Sequence, residues 1–131
     1  MGTKVAIIAS HGGLFDAYKV FNIATASAAT DAEVGIFFTF EGLNLIHKTA
    51  YQQLPMPTGK EHFAEGFQNA NVPSIPELVE MAQQMGVKII ACQMTMDVMN
   101  LKKEDLIDGI EVGGAVTFLD FAKDANITLS F

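Results

Sequence analysis

The sequence predicts an α/β fold: a single three-layer α/β/α domain with a parallel sheet of about five strands. Two observations predict it. Short runs of nearly continuous apolar residues recur along the chain, as in strands buried on both faces. Between them lie segments with helical apolar spacing, and strands that alternate with helices form parallel sheets through right-handed crossovers.

The first run, Lys4 to Ala9, ends at the turn Ser10-His11-Gly12-Gly13 and reads as a buried strand. Leu14 to Ala29 keeps apolar residues at Leu14, Ala17, Tyr18, Phe21, Ala24 and Ala28, which is helical spacing. Thr30-Asp31 ends that helix, and Glu33 to Phe40 is the second strand. Glu41-Gly42 closes the strand, and Leu43 to Leu54 is expected to be helical. Pro55 to Pro73 is irregular, with a short helix over 61–68; a stretch this long usually serves as a lid, an interface or a disordered segment. Ser74 and Glu77 form a capping-box pattern with Pro76 in the first turn. Leu78, Val79, Met81, Ala82 and Met85 supply that helix's apolar face, and Gly86 stops it. Val87 to Ala91 is the third strand, and Met94 to Leu101 can start a helix. A helical turn at 103–106 and a weak strand over 107–112 come next. Gly113-Gly114 opens a helix through Lys123 with Val116, Leu119, Phe121 and Ala122 as its core, and 127–131 is the closing strand. Strand order is not readable from this pattern.

The chain has 131 residues, half of them hydrophobic, so residues 1–131 fit one domain with one sizeable core. A formal net charge of −7 and the lack of a Lys/Arg cluster argue against a nucleic-acid partner. No signal-peptide pattern opens the chain, and no stretch approaches the roughly 18 apolar residues of a membrane span. A single cysteine excludes an intrachain disulfide and fits a reducing, cytoplasmic setting.

That cysteine, Cys92, is the most informative residue. It stands where the third strand ends, and ligands of open α/β sheets bind outside the carboxyl ends of strands. A thiol there can meet substrate and feel the amides of the next helix, which favours the reactive thiolate. Buried cysteine is also a common small hydrophobe, so core filling is the competing reading. Gln93 and Thr95 come directly after it and suggest an edge that meets solvent, whereas a close Asp97 carboxylate would raise the thiol pKa. His11 and Gly12, at the end of the first strand, are further candidates for substrate contact. The Gly12-Gly13 turn admits an anion at the next helix start or merely serves tight geometry; it is no known phosphate loop. His47 and the group Glu61, His62 and Glu65 match no metal-ligand spacing, so no metal or cofactor is expected. Met81, Met85, Met94, Met96 and Met99 read as core filler, or as a soft rim around the thiol or a subunit interface.

Ala91-Cys92-Gln93-Met94-Thr95-Met96-Asp97-Val98-Met99 resembles the cysteine segment of the DsrE/DsrF-like sulfur-relay family. Phe37-Phe38-Thr39-Phe40-Glu41-Gly42-Leu43 is similar to that family's Phe-Phe-Thr-Phe-x-Gly-Leu segment, and Gly113-Gly114-Ala115 with Phe118-Leu119 to its last helix. The resemblance runs in order along essentially the whole chain. It implies a compact parallel α/β domain that forms homo- or hetero-oligomers. It further implies a carrier that holds sulfane sulfur as a persulfide on Cys92, taken from a rhodanese- or desulfurase-type donor and passed to an acceptor protein. Whether such a chain counts as a sulfurtransferase stays open.

Three other readings compete. A non-catalytic assembly subunit of a relay complex would leave Cys92 inert. A thiol peroxidase would need a Pro-x-x-x-Thr-x-x-Cys segment, which does not precede Cys92. A nucleotide- or flavin-binding domain would use the Gly12-Gly13 turn.

Overall fold

The computed structural model describes residues 2–131. Five parallel strands, β1 (Lys4–Ala9), β2 (Glu33–Phe38), β3 (Lys88–Cys92), β4 (Glu111–Gly113) and β5 (Ile127–Ser130), form one sheet in the order β4-β3-β2-β1-β5. The helices are α1 (Leu14–Ala29), α2 (Phe63–Asn69), α3 (Ile75–Gln84), α4 (Gln93–Val98) and α5 (Ala115–Ala122). Among the described residues, no helix is long and apolar enough to cross a membrane.

The topology obeys the handedness of crossovers. From β1 to β4 the chain steps in one direction across the sheet, so right-handed connections put α1 and α3 on one face, where they pack together. From β4 the chain returns to the far side of β1, and the reversal puts α5 on the opposite face. Alternation along the strands divides the core accordingly. Val5, Ile7, Ile36, Phe38, Ile89 and Ala91 join the larger cluster beneath α1 and α3. Ala6, Phe37, Ile90 and Cys92 face the other way, against Phe118 and Phe121 of α5.

Helix α1 has the predicted bounds, with Ala17, Val20, Phe21 and Ala24 buried. In α3 the predicted capping box forms: the Ser74 side chain accepts from the Glu77 N–H and the Glu77 carboxylate accepts from the Ser74 N–H. β2 ends at Phe38, two residues before the expected end, because Phe40 turns into the left-handed region.

The helix expected over Leu43–Leu54 does not form. Two 3-10 stretches, Phe40–Ile46 and Ala50–Gln52, replace it. Tertiary hydrogen bonds claim the backbone that a continuous helix would need. The Ile107 N–H donates to the Ile46 carbonyl at 2.9 Å and the Lys48 N–H to the Asp105 carbonyl at 3.0 Å. His47 sits at the break in extended conformation, and its Nδ1 accepts from the N–H groups of Thr49 and Ala50. This histidine therefore supports the backbone of a turn.

The expected strand over 107–112 shrinks to Glu111–Gly113. The 55–73 segment carries α2, which buries none of its residues. It rests on α1 through aromatic rings: Phe67 stacks on Tyr18 at 4.9 Å, and Phe63 meets Phe15 edge-on at 5.8 Å.

Two core assignments need correction. Met81, Met85, Met94 and Met99 are exposed, and Met96 alone of that group is buried. In α5 the buried pair is Phe118 and Phe121, while Val116 and Leu119 are 81% and 61% exposed. Only Thr117 and Asp120 are polar in this helix, and its apolar residues cover the rest of the surface, so the aromatic pair decides which part of that broad apolar side meets the sheet.

Candidate functional site

Cys92 is the last residue of β3 and the residue that precedes the first turn of α4. Its side chain lies on the α5 face among Ala6, Phe37, Ile90, Phe118 and Phe121. The residue is only 5% exposed. Burial in apolar surroundings disfavours a charged sulfur and pushes the thiol pKa up.

Polar groups oppose that effect. The hydroxyls of Thr95 and Thr39 and the backbone N–H groups of Thr95 and Met94 favour the thiolate. The Cys92 side chain itself makes no capping hydrogen bond to α4. Desolvation is the largest single influence, yet these donors together outweigh it and bring the thiol below its ordinary value of 9.0.

The donors are held by the turn after β2. Thr95 is 1% exposed, and its Oγ1 accepts the Phe40 N–H at 3.1 Å while lying 3.2 Å from Thr39 Oγ1. Phe40 adopts φ 50°, a conformation that costs a non-glycine residue about 1–2 kcal/mol. Hydrogen bonds fix it in place: the Thr39 N–H donates to the Ala9 carbonyl at 3.0 Å and the Gly42 N–H to the Thr39 carbonyl at 2.9 Å. Gly42 must be glycine, because a Cβ there would run into the Ala9 carbonyl.

The flanking polar residues differ in placement. Gln93 is exposed and donates from Nε2 to Asp97 Oδ1 at 3.0 Å. Asp97, also exposed, is not among the groups that act on the sulfur, so the expected upward push from its carboxylate is not exerted. Thr95, expected at a solvent edge, is buried under the thiol because α4 turns its face inward at Thr95 and Met96.

His11 and Gly12 are not brought to the sulfur. They stand at the end of β1, which is separated from β3 by β2, or ~9–10 Å by the spacing of strands. They line a separate cleft of about 510 Å³ with Asp16, Glu41, Asn44 and Thr58. A Cβ on Gly12 would come 2.5 Å from the Glu41 carbonyl, so this glycine serves the packing of one turn on another. The Gly13 N–H donates to Asp16 Oδ2 at 3.1 Å and the Leu14 N–H to the Pro55 carbonyl at 2.9 Å. With those amides occupied and two carboxylates beside them, the start of α1 repels a phosphate. Among the described residues no group of three or more His, Cys, Asp or Glu side chains could hold a metal ion, and His62 lies against the Phe63 ring.

Sequence reasoning passed over Thr39 as a site residue, although it lies inside the Phe-Phe-Thr-Phe segment. Its place at the end of the strand beside the cysteine's strand depends on strand order, which the sequence does not show.

Fold and site thus define a small parallel α/β domain with one thiol at the exit of an inner strand, its sulfur met by hydroxyl and amide donors. The chain belongs to the DsrE/DsrF/DrsH-like family, whose model matches residues 2–69 and 55–130. It is 37% identical to the sulfur carrier protein DsrE2 of Allochromatium vinosum, over 96% of each chain. It is 33% identical to the uncharacterized protein YrkE of Bacillus subtilis, over 97% of this chain and 96% of that one. Among solved structures, the ychN protein of E. coli superposes with a TM-score of 0.66 at 17% identity, over the whole of both chains. MTH1491 of Methanobacterium thermoautotrophicum superposes with 0.62 at 13% identity, over 98% of this chain and 99% of that one. These two likenesses concern the fold.

Proposed function

We propose that this protein acts in a sulfur relay and carries sulfane sulfur as a persulfide on Cys92. The observation that carries the reading is the set of donors around a single thiol at a strand exit, in a chain similar to a sulfur carrier protein. Cys92 thiolate attacks the outer sulfur of a donor persulfide, and the donor's inner sulfur leaves with the electron pair. An acceptor thiolate then attacks the outer sulfur on Cys92, and Cys92 leaves as thiolate. Both steps obey thiol–disulfide exchange rules, and neither needs a second cysteine in this chain. In this reading Gln93, which is exposed, touches a docking partner, and the buried Thr95 supports the site from within.

Setting and assembly belong to the same reading. Residues 1–131 work as one unit in the reducing cytoplasm, with donor and acceptor proteins as partners. Exposed Val116 and Leu119, with the apolar groove between α5 and β5 lined by Ile8, Phe118 and Leu129, support a homo-oligomer. A dimer or larger mass by light scattering is expected; a monomer at working concentration contradicts it.

The test is intact-protein mass after incubation with thiosulfate and a rhodanese. One added sulfur, lost on reduction and absent from Cys92→Ser, is expected. The 5% exposure of Cys92 favours a second reading, an assembly subunit with an inert thiol. No added sulfur, together with a thiol unreactive until unfolding, would establish that alternative.

A further inference from the structure

Among the described residues, the non-glycine positions with positive φ are Asp31, Asn71, Asn100 and Phe40. Asp and Asn tolerate that region; a bulky aromatic at φ 50° is a genuine outlier. Phe40 is also 55% exposed, so its ring gains little from burial. Strain of this kind, without packing to explain it, points to function. The Phe40 N–H donates to Thr95 Oγ1 at 3.1 Å, which ties the residue to α4. On α4, Met94 and Val98 lie one turn apart on the flank next to Thr95, and both are exposed. Three exposed apolar side chains thus stand at the corner where β3 delivers Cys92. The charged residues beside them in sequence, Glu41 and Asp97, are exposed carboxylates.

We propose that this corner is a docking surface with Phe40 as its anchor, and that its occupant is a protein with an apolar contact inside a basic rim. The proposal rests on Cys92 exchanging sulfur. The partner's sulfur must then reach the exit of β3, and the protein that bears it must cover the side chains there. An aromatic anchor among apolar neighbours, with charge at the rim, is how protein–protein contacts are built. Both rim charges are negative, on a chain of net charge −7, which selects a basic partner and speeds its approach. A second copy of this chain is the wrong occupant, because contact of the corner with itself would bring the same carboxylates together.

The probes are three cysteine peptides, each activated as a disulfide with thionitrobenzoate, and 2-mercaptoethanol activated the same way. One peptide flanks its cysteine with leucine and arginine, one with leucine and glutamate, one with serine and arginine. Cys92 thiolate bonds to the peptide sulfur, the disulfide breaks, and the electron pair leaves on thionitrobenzoate. Each peptide's rate is divided by that of the small probe on the same variant, so changes in the thiol itself cancel. Wild type should favour the leucine–arginine peptide over the leucine–glutamate one about tenfold, and less at high salt. It should favour it over the serine–arginine peptide about fivefold. Glu41→Gln with Asp97→Asn should erase the first preference and Phe40→Gly the second. Phe40→Gly should unfold at no lower denaturant concentration than wild type, since glycine accepts φ 50°. Ratios near one, preferences that survive the substitutions, or a less stable Phe40→Gly protein would overturn the proposal. A smaller assembly of Phe40→Gly by light scattering would assign the corner to a second copy and overturn it too. Flat ratios with successful rhodanese loading remove this inference alone. Ordered ratios without loading remove the persulfide reading and leave the surface standing, and a native thiol that reacts with no probe removes both.

Discussion

The turn after β1 and the corner after β3 share one edge of one sheet, and they invert the usual link between cavity and chemistry. The β1 turn borders the cleft of about 510 Å³ and displays His11, Asp16 and Glu41. Its glycines and amides, however, are engaged in holding the chain: Gly12 against the Glu41 carbonyl, Gly13 N–H on Asp16, Leu14 N–H on Pro55. The β3 corner buries its cysteine, yet the hydroxyls of Thr39 and Thr95 and the amides of Met94 and Thr95 lower its thiol pKa against that burial. Which groups point at the reactive atom matters more than the space around it.

Gly42→Ala should disturb the β3 corner most. The added Cβ meets the Ala9 carbonyl, a backbone atom that cannot move aside. A loss of roughly 2–3 kcal/mol in denaturant unfolding is expected, with a higher thiol pKa because the Thr39–Phe40 turn shifts. Thr95→Val comes next. It removes a donor from the sulfur and strands the Phe40 N–H, so about 1–3 kcal/mol of stability is expected to go, with thiolate appearing at higher pH.

The same corner should give stability a pH dependence. Cys92 ionises more readily in the folded state than at its ordinary 9.0. The folded state therefore binds fewer protons between its own lowered midpoint and 9.0, and stability rises with pH across that window. The gain is lost as pH falls back through the folded midpoint. Unfolding curves of Cys92→Ser should lack this slope.

Ser74→Ala breaks the capping box of α3, remote from the thiol, and should cost about 1 kcal/mol with no change in thiolate midpoint. The smallest effects belong to His11→Ala and Asp97→Asn. Neither residue acts on the sulfur, so alkylation rates against pH should overlay wild type.

Much of this was legible before the structure. Buried strands announce themselves by continuous apolar runs, and the Ser74–Glu77 cap by its spacing, because both signals are local. The helix expected over 43–54 failed because Ile46 and Lys48 bond to residues near 105–107, which local pattern does not report. The rotation of α5 was hidden for a related reason: its apolar residues spread far beyond the width of one buried face, and only the sheet beneath it selects Phe118 and Phe121. At the site, the exit position of Cys92 was readable. The burial of Thr95 and the part played by Thr39 were not, since both depend on β2 lying beside β3 and on the left-handed turn at Phe40.

Donors outweigh burial at Cys92, and the rate of alkylation of the native protein by iodoacetamide, measured across pH, reads that balance without intermediary. A thiolate midpoint below 9.0, shifted upward in Thr39→Val, is the expected result. A midpoint at or above 9.0, or a thiol that stays unmodified until the protein unfolds, would show that burial wins instead.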